Sequence, residues 1–181
     1  MSQTNQGDPS DQDDQGSTAV RVCRADYSNP RHAAALVEML DAYASDPMGG
    51  GEPLSAFARA NLVAALAARP QAYSVLAFSG ADDSIPVGLV NCIEGFSTFA
   101  CRPLVNVHDV AVLAGHRGQR IGERMLALAE EIARERGACK LTLEVLSGNA
   151  GAMRLYERAG FANYQLDPGM GHAGFMQKWL E

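Results

Sequence analysis

Apolar positions change period along the chain, and each change marks an element. Ala19–Arg24 (AVRVCR) alternates apolar and polar, which predicts a strand. Asn29 or Ser28 can cap a helix that opens at Pro30 and runs to about Ala44, with Leu36, Val37, Leu40 and Tyr43 on one side. The loop Asp46–Pro53 (DPMGGGEP) leads to a second helix from about Leu54 to Ala68, ended by Pro70. Ala72–Phe78 and Val87–Phe96 read as strands joined through the turn Gly80–Asp83. Leu104–Leu113 (LVNVHDVAVL) is rich in β-branched residues and predicts a central strand. It runs into Gly115–Gly122 (GHRGQRIG), which opens a helix to about Arg136. There Ile121, Met125, Leu128 and Ile132 form one apolar stripe, and Gly137 stops the helix. Lys140–Leu146 reads as a buried strand and Asn149–Ala159 as a short helix closed by Gly160. Phe161–Leu166 and Phe175–Leu180 read as a final hairpin. The order β-α-α-β-β-β-α-β-α-β-β predicts a mixed α/β domain over residues 19–181.

Residues 1–18 depart from this pattern. After Met1 they hold no large apolar residue, and they carry Asp8, Asp11, Asp13 and Asp14 with no Lys or Arg. Such a segment predicts a disordered acidic tail. The chain's net charge is −6, with 15 basic and 21 acidic residues, and four of those acidic residues lie in the tail. The body is therefore nearly neutral, which argues against nucleic acid or an anionic membrane as partner. No apolar run is long enough to span a membrane, and the acidic start lacks the basic and apolar regions of a signal peptide. Cys23, Cys92, Cys101 and Cys139 form no C-x-x-C pair, and no His stands at metal-ligand spacing from them. The expectation is reduced thiols in a cytoplasmic compartment and no metal.

Two constellations carry chemistry. In the first, a strand passes through HRGQRIG into a helix, which exposes backbone N–H groups and the positive helix end: an anion site suited to phosphate. Gly118 permits a turn closed to residues with a Cβ. Gly122, in the first helical turn, suggests close approach of a ligand or backbone. Arg117 and Arg120 add positive charge. The pattern is neither the mononucleotide P-loop nor the dinucleotide fingerprint. In the second, Asn149 can cap a helix on which Tyr156, two turns later, projects from the same face. A polar ligand entering beside the preceding strand would meet both.

Together these motifs resemble the GCN5-related N-acetyltransferase (GNAT) family. Arg117-Gly118-Gln119-Arg120-Ile121-Gly122 is similar to that family's phosphate loop R/Q-x-x-G-x-G/A, with Arg120 in place of its first Gly. The later signature N-x-x-A-x-x-[LF]-Y-x-x-x-G-F is matched from Asn149 to Phe161. The resemblance implies a GNAT acyl-CoA N-acyltransferase fold: a mixed sheet splayed between two parallel strands and flanked by about four helices. It implies acetyl-CoA as co-substrate, held by the backbone of Val110, Ala111 and Val112, by the loop Arg117, Gly118, Gln119, Arg120, Ile121 and Gly122, and by Asn149. Arg120 is expected to keep a helical backbone, with its N–H on the pyrophosphate.

The resemblance further implies direct attack by an amine on the thioester, polarised by a backbone N–H near Val110. Tyr156 is the candidate acid for the leaving thiolate. A phenol near ~10 and a thiol near ~8.5 put that transfer uphill by only about 2 kcal/mol. The base stays open between His108, which stands where spermidine/spermine-type members carry Glu, and Glu94, with Glu144 a rival or no dedicated base at all. The acceptor is expected to be a small primary amine. Loop Asp46–Pro53 should serve as a mobile lid, and Asp46, Glu52, Glu94 and Asp109 as an acidic surround. Phe96 and Phe99 could line that pocket, and His172 could reach its mouth. A protein or antibiotic acceptor, or a non-catalytic acyl-CoA-binding module, are the other readings. A homodimer is a family-level expectation.

Overall fold

The computed structural model describes residues 19–80, 82–164, 167, 169 and 174–180. The acidic tail and His172 lie outside the described residues. The element order is β1 (Arg21–Arg24), α1 (Pro30–Ser45), α2 (Ala56–Ala67), β2 (Ala72–Ser79), β3 (Ile85–Ser97), β4 (Arg102–Val112), a 3₁₀ turn (Ala114–His116), α3 (Ile121–Glu135), β5 (Leu141–Leu143) and α4 (Ala150–Arg158). The strands form one sheet in the order β1-β2-β3-β4-β5, antiparallel except for the parallel pair β4–β5. This is the mixed, helix-flanked sheet that the sequence predicts. Among the described residues, no helix is long and apolar enough to cross a membrane.

Local chemistry starts the helices where the sequence places them. Asn29 Oδ1 accepts from the N–H of Arg31 at 2.9 Å, ahead of Pro30 in the first turn of α1. Ser55 Oγ accepts from Ala58 N at 3.1 Å and caps α2. The helices then bury opposite faces of the sheet. The stripe Ile121, Met125, Ala129 and Ile132 packs with Val75, Val90, Cys92, Val105 and Val107. Leu36 and Met39 of α1 pack with Leu76, Phe78, Leu89 and Ala111 on the other side. With both faces covered, every residue of β2 is buried.

Two features of β4 open the sheet. Asn91 pairs with Asp109 and Cys92 with Val107, so His108 is an extra, bulged residue. Beyond the bulge β4 runs on to Val112, whereas β5 pairs only as far as Val107↔Leu143. The two parallel strands therefore part after Val107.

Two sequence expectations are corrected. The strand expected over Lys140–Leu146 is confined to Leu141–Leu143, because the chain leaves β4 at the splay. The final hairpin is absent among the described residues: 161–164 and 174–180 carry no strand. The second arm pairs apolar neighbours, Phe175 with Met176 and Trp179 with Leu180. A strand would send those side chains to both faces, leaving no single apolar face to bury. All four are exposed.

The core contains groups that burial holds neutral. The Cys92 thiol is pushed up to about 12, mainly by burial, and the Tyr73 hydroxyl, which donates to Ala129 O at 2.8 Å, is also raised. A raised folded-state pKa leaves stability intact below the unfolded value and removes it as pH climbs toward the folded one. Each such group should weaken the fold by about 1.4 kcal/mol per pH unit once its unfolded form ionises. Urea midpoints should therefore hold to about pH 8.5 and fall steeply above it, with Cys92→Ala delaying the fall. A flat midpoint to about pH 11 would contradict this account.

Candidate active site

The parting of β4 and β5 leaves a backbone edge with alternating direction. Leu113 N–H donates to Val87 O at 3.0 Å on the β3 side. By strand alternation, Val110 and Val112 present their N–H and C=O groups to the gap. Arg117 Nε already donates to one of these, Val112 O, at 3.0 Å.

A cavity of about 960 Å³ occupies the gap and draws its walls from both sides of the sheet. Met39 and Tyr43 come from α1; Val110, Ala111 and Val112 form the β4 edge; Ile121, Gly122 and Glu123 open α3; Asn149, Leu155 and Tyr156 come from α4. The structure thus gathers Val110, Ala111, Val112, Arg117, Gly118, Arg120, Ile121, Gly122, Asn149 and Tyr156 around one space. Gln119 is exposed and outside that wall.

The loop into α3 explains its glycines unequally. Gly118 has φ +81°, a conformation that needs no Cβ. Gly122 answers a packing need rather than a ligand: a Cβ there would lie 2.9 Å from Leu155 Cδ2 of α4. Gly122→Val should push α4 from α3 and cost about 1–3 kcal/mol, read as a lowered melting temperature. An unchanged melting temperature would mean that Leu155 yields without cost. Arg120 corrects an expectation outright, since its backbone is left-handed, φ 57° and ψ 20°, not helical. That is a conformation glycine adopts without strain. The first-turn N–H groups of α3 have no partner inside the helix, and Ile121, Gly122 and Glu123 place that turn at the cavity.

Ion pairs tie the cavity's walls. Arg117 reaches Asp46 Oδ2 at 3.1 Å, fastening the Asp46–Pro53 loop to the turn before α3. Hydrogen bonds from Met48 N and Arg117 hold the Asp46 carboxyl below its usual range. Arg158 Nε meets Glu123 Oε1 at 2.7 Å, fastening α4 to α3. Asn149 Oδ1 accepts from Ala152 N at 3.1 Å, so the cap of α4 is also a cavity wall.

Tyr156 is largely buried, edge-on to Phe161 with ring centroids 5.9 Å apart. Burial, with the nearby Tyr43 hydroxyl, pushes its pKa up to about 12. Tyr43 is raised in turn by burial and by the charges of Asp109 and Asp46.

Asp109 ends a chain of hydrogen bonds that sequence spacing does not reveal. Asn91 Nδ2 donates to Asp109 Oδ2 at 2.9 Å. Ser74 Oγ lies 2.6 Å from Asn91 Oδ1, and Tyr27 OH lies 2.9 Å from Ser74 Oγ. An amide oxygen only accepts, so Ser74 donates to Asn91, and Tyr27 donates to Ser74. Every donor in the chain is aimed toward the carboxylate. Alternation along β4 was the available signal for Asp109, but the bulge at His108 shifts it by one residue.

The remaining candidates lie elsewhere. His108 sits exposed on the bulge. Glu94 pairs with Val105, on the closed part of the sheet, and is bonded to Arg136 at 3.1 Å beyond the end of α3. Glu144 is exposed and accepts from Asn106 Nδ2 at 3.2 Å. Phe96 and Phe99 are exposed on the β3–β4 hairpin, and neither lines the cavity.

The profile of the Acetyltransferase (GNAT) family matches residues 34–161. A streptothricin acetyltransferase of Streptomyces lavendulae is 40% identical over 86 residues, 46% of this chain and 46% of that relative. The chain spans less than half the length of the curated relatives it matches. The fold recurs in the crystal structure of a transcriptional regulator from Bacillus halodurans C-125, with TM-score 0.71 and 20% identity over 89% of this chain and 100% of that one. It recurs also in an aminoglycoside acetyltransferase from an uncultured soil metagenomic sample in complex with sisomicin, with TM-score 0.67 and 16% identity over 88% of this chain and 97% of that one.

Proposed function

The chain belongs to the acetyltransferase (GNAT) family, and from that premise we propose that it moves an acetyl group from acetyl-CoA to a primary amine of a small molecule. The observation that carries this reading is the cavity at the splay, where a strand edge that β5 leaves open and a cationic helix start meet a half-buried tyrosine. A large polyanionic thioester needs all three: an edge for its amide arm, amides and arginines for its phosphates, and a donor near its sulfur.

Acetyl-CoA supplies the activated thioester when bound. The Val110 and Val112 backbone groups would hold its arm, and the start of α3 with Asn149 would hold the phosphate end. Tyr156 would keep its proton on the hydroxyl and present it to the sulfur. The acceptor's ammonium must shed a proton before attack, and Asp109 is our choice to take it. Its carboxylate accepts from Asn91 Nδ2, and its charge acts on the Tyr43 hydroxyl of the cavity wall. His108 and Glu94 are less well placed, one exposed on the bulge and the other paired with Arg136.

The resemblance to a streptothricin acetyltransferase supports including amine-bearing antibiotics among the candidate acceptors. Thiol release from acetyl-CoA, followed across streptothricin, aminoglycosides, polyamines and a peptide amine, tests the reading. Turnover with the peptide alone would overturn the small-molecule acceptor. No donor binding and no turnover with any amine would overturn the reading as a whole.

A further inference from the structure

We propose that Arg117 and Asp46 form a self-inhibitory strap across the cavity, in which the Arg117 guanidinium holds the Val112 carbonyl that the donor's arm must take. The inference rests on the donor assigned above and concerns what that donor has to displace.

The Val112 carbonyl faces the gap. Leu113 N–H is turned to β3, where it donates to Val87 O at 3.0 Å, so its neighbour Val112 is turned the other way. Arg117 Nε donates to this oxygen at 3.0 Å. An arm that pairs with β4 as a strand would bring its own N–H to much the same distance, about 2.9 Å. The two donors therefore compete for one carbonyl.

The guanidinium is also held at its far end. It reaches Asp46 Oδ2 at 3.1 Å, and Asp46 is the C-cap residue of α1. Helix α1 covers one face of the sheet and α3 the other, and both ends of the pair line the cavity. The fork is rigid and planar, so moving Nε off Val112 O also moves the second donor off Asp46. Asp46 in turn organises its loop. Its carboxylate accepts from Met48 N at 2.9 Å, and its carbonyl accepts from Gly49 N at 2.7 Å and Gly51 N at 3.1 Å. The loop lies against α1, where a Cβ on Gly49 would stand 1.9 Å from Tyr43 O. One displacement at the β4 edge thus frees the residue on which the whole turn is closed. The strap is built to yield: its side chains are 60% and 30% exposed, and an exposed pair holds only weakly. It taxes the donor's affinity without blocking it.

Pantetheine, the uncharged amide arm without its nucleotide, is titrated as a competitor of coenzyme A on the wild-type chain and on D46N. The substitution leaves an oxygen to accept from Met48 N and removes the carboxylate that anchors the guanidinium. D46N is expected to bind pantetheine about two- to fivefold more tightly, the scale of one exposed ion pair. The uncharged probe separates this from the gain that any anion draws from the loss of a carboxylate. Equal or weaker pantetheine binding in D46N overturns the proposal, and so does a gain seen with coenzyme A alone. A second measurement needs no variant. Hydrogen exchange of the Met48 amide in the wild-type chain is expected to quicken by about twofold or more when pantetheine is added, because Asp46 loses its cation. Unchanged or slower exchange overturns the proposal. Coenzyme A that pantetheine displaces from neither protein puts the arm away from the β4 edge and overturns it as well. A wild-type chain that binds no coenzyme A defeats the donor assignment itself, and this inference with it.

Discussion

Tyr156→Phe is expected to lower kcat by about 10- to 100-fold while leaving the dissociation constant of acetyl-CoA nearly unchanged. The structure changes the form of the argument for this residue. On ordinary values, a phenol could pass its proton to a leaving thiolate at little cost. Burial has instead pushed Tyr156 up to about 12. Against a thiol near ~8.5, full transfer is then uphill by about 5 kcal/mol. What remains affordable is a hydrogen bond that strengthens as charge grows on the sulfur, worth about 1.5–3 kcal/mol for a charged acceptor. That range sets the expected loss. The ring's edge contact with Phe161 survives in the variant, so the cavity should keep its shape. Single-turnover acetyl transfer measures the step directly. An unchanged rate would remove Tyr156 from the chemistry, and a weakened dissociation constant with unchanged kcat would make it a binding residue only.

How far the sequence carries the argument depends on what each feature needs. Asn29, Ser55 and Asn149 cap through bonds to residues two or three positions away, so local spacing is enough to find two of the three caps and both flanks of α1. The stripe on α3 is legible for the same reason: its period is the helix period. The second constellation is legible because Asn149 and Tyr156 share a helix face.

What spacing hides is long-range. The reason for Gly122 lies in Leu155, which approaches only when α3 and α4 pack. The left-handed turn at Arg120 contradicts the residue's own preference, so a propensity argument chooses wrongly there. The bulge at His108 inserts one residue into the alternation, so spacing alone does not foresee that Asp109 meets Asn91. The partners of Asp109 come from β2, from β3 and from Tyr27 before α1, and no linear pattern joins them.

Asp109→Asn is expected to reduce kcat/KM by about 100-fold or more, the scale of losing a positioned base. The substitution is nearly isosteric, and the new amide's oxygen can still accept from Asn91 Nδ2. Ser74, Asn91 and Tyr27 can therefore keep their bonds, and the melting temperature should change little. A second readout follows from charge alone. Asp109 helps to hold the Tyr43 hydroxyl above its ordinary value, so removing that charge should lower the Tyr43 titration toward a normal phenol. Ultraviolet titration of the variant against the parent reads this shift without any substrate. His108→Ala supplies the contrast: its side chain is exposed on the bulge, and its loss should leave kcat/KM within about threefold. Should His108→Ala abolish turnover while Asp109→Asn remains active, the proton leaves the amine through the imidazole. The donor chain from Tyr27 to Asp109 would then be a structural brace for the bulge, satisfying buried polar groups on the α1 side of the sheet.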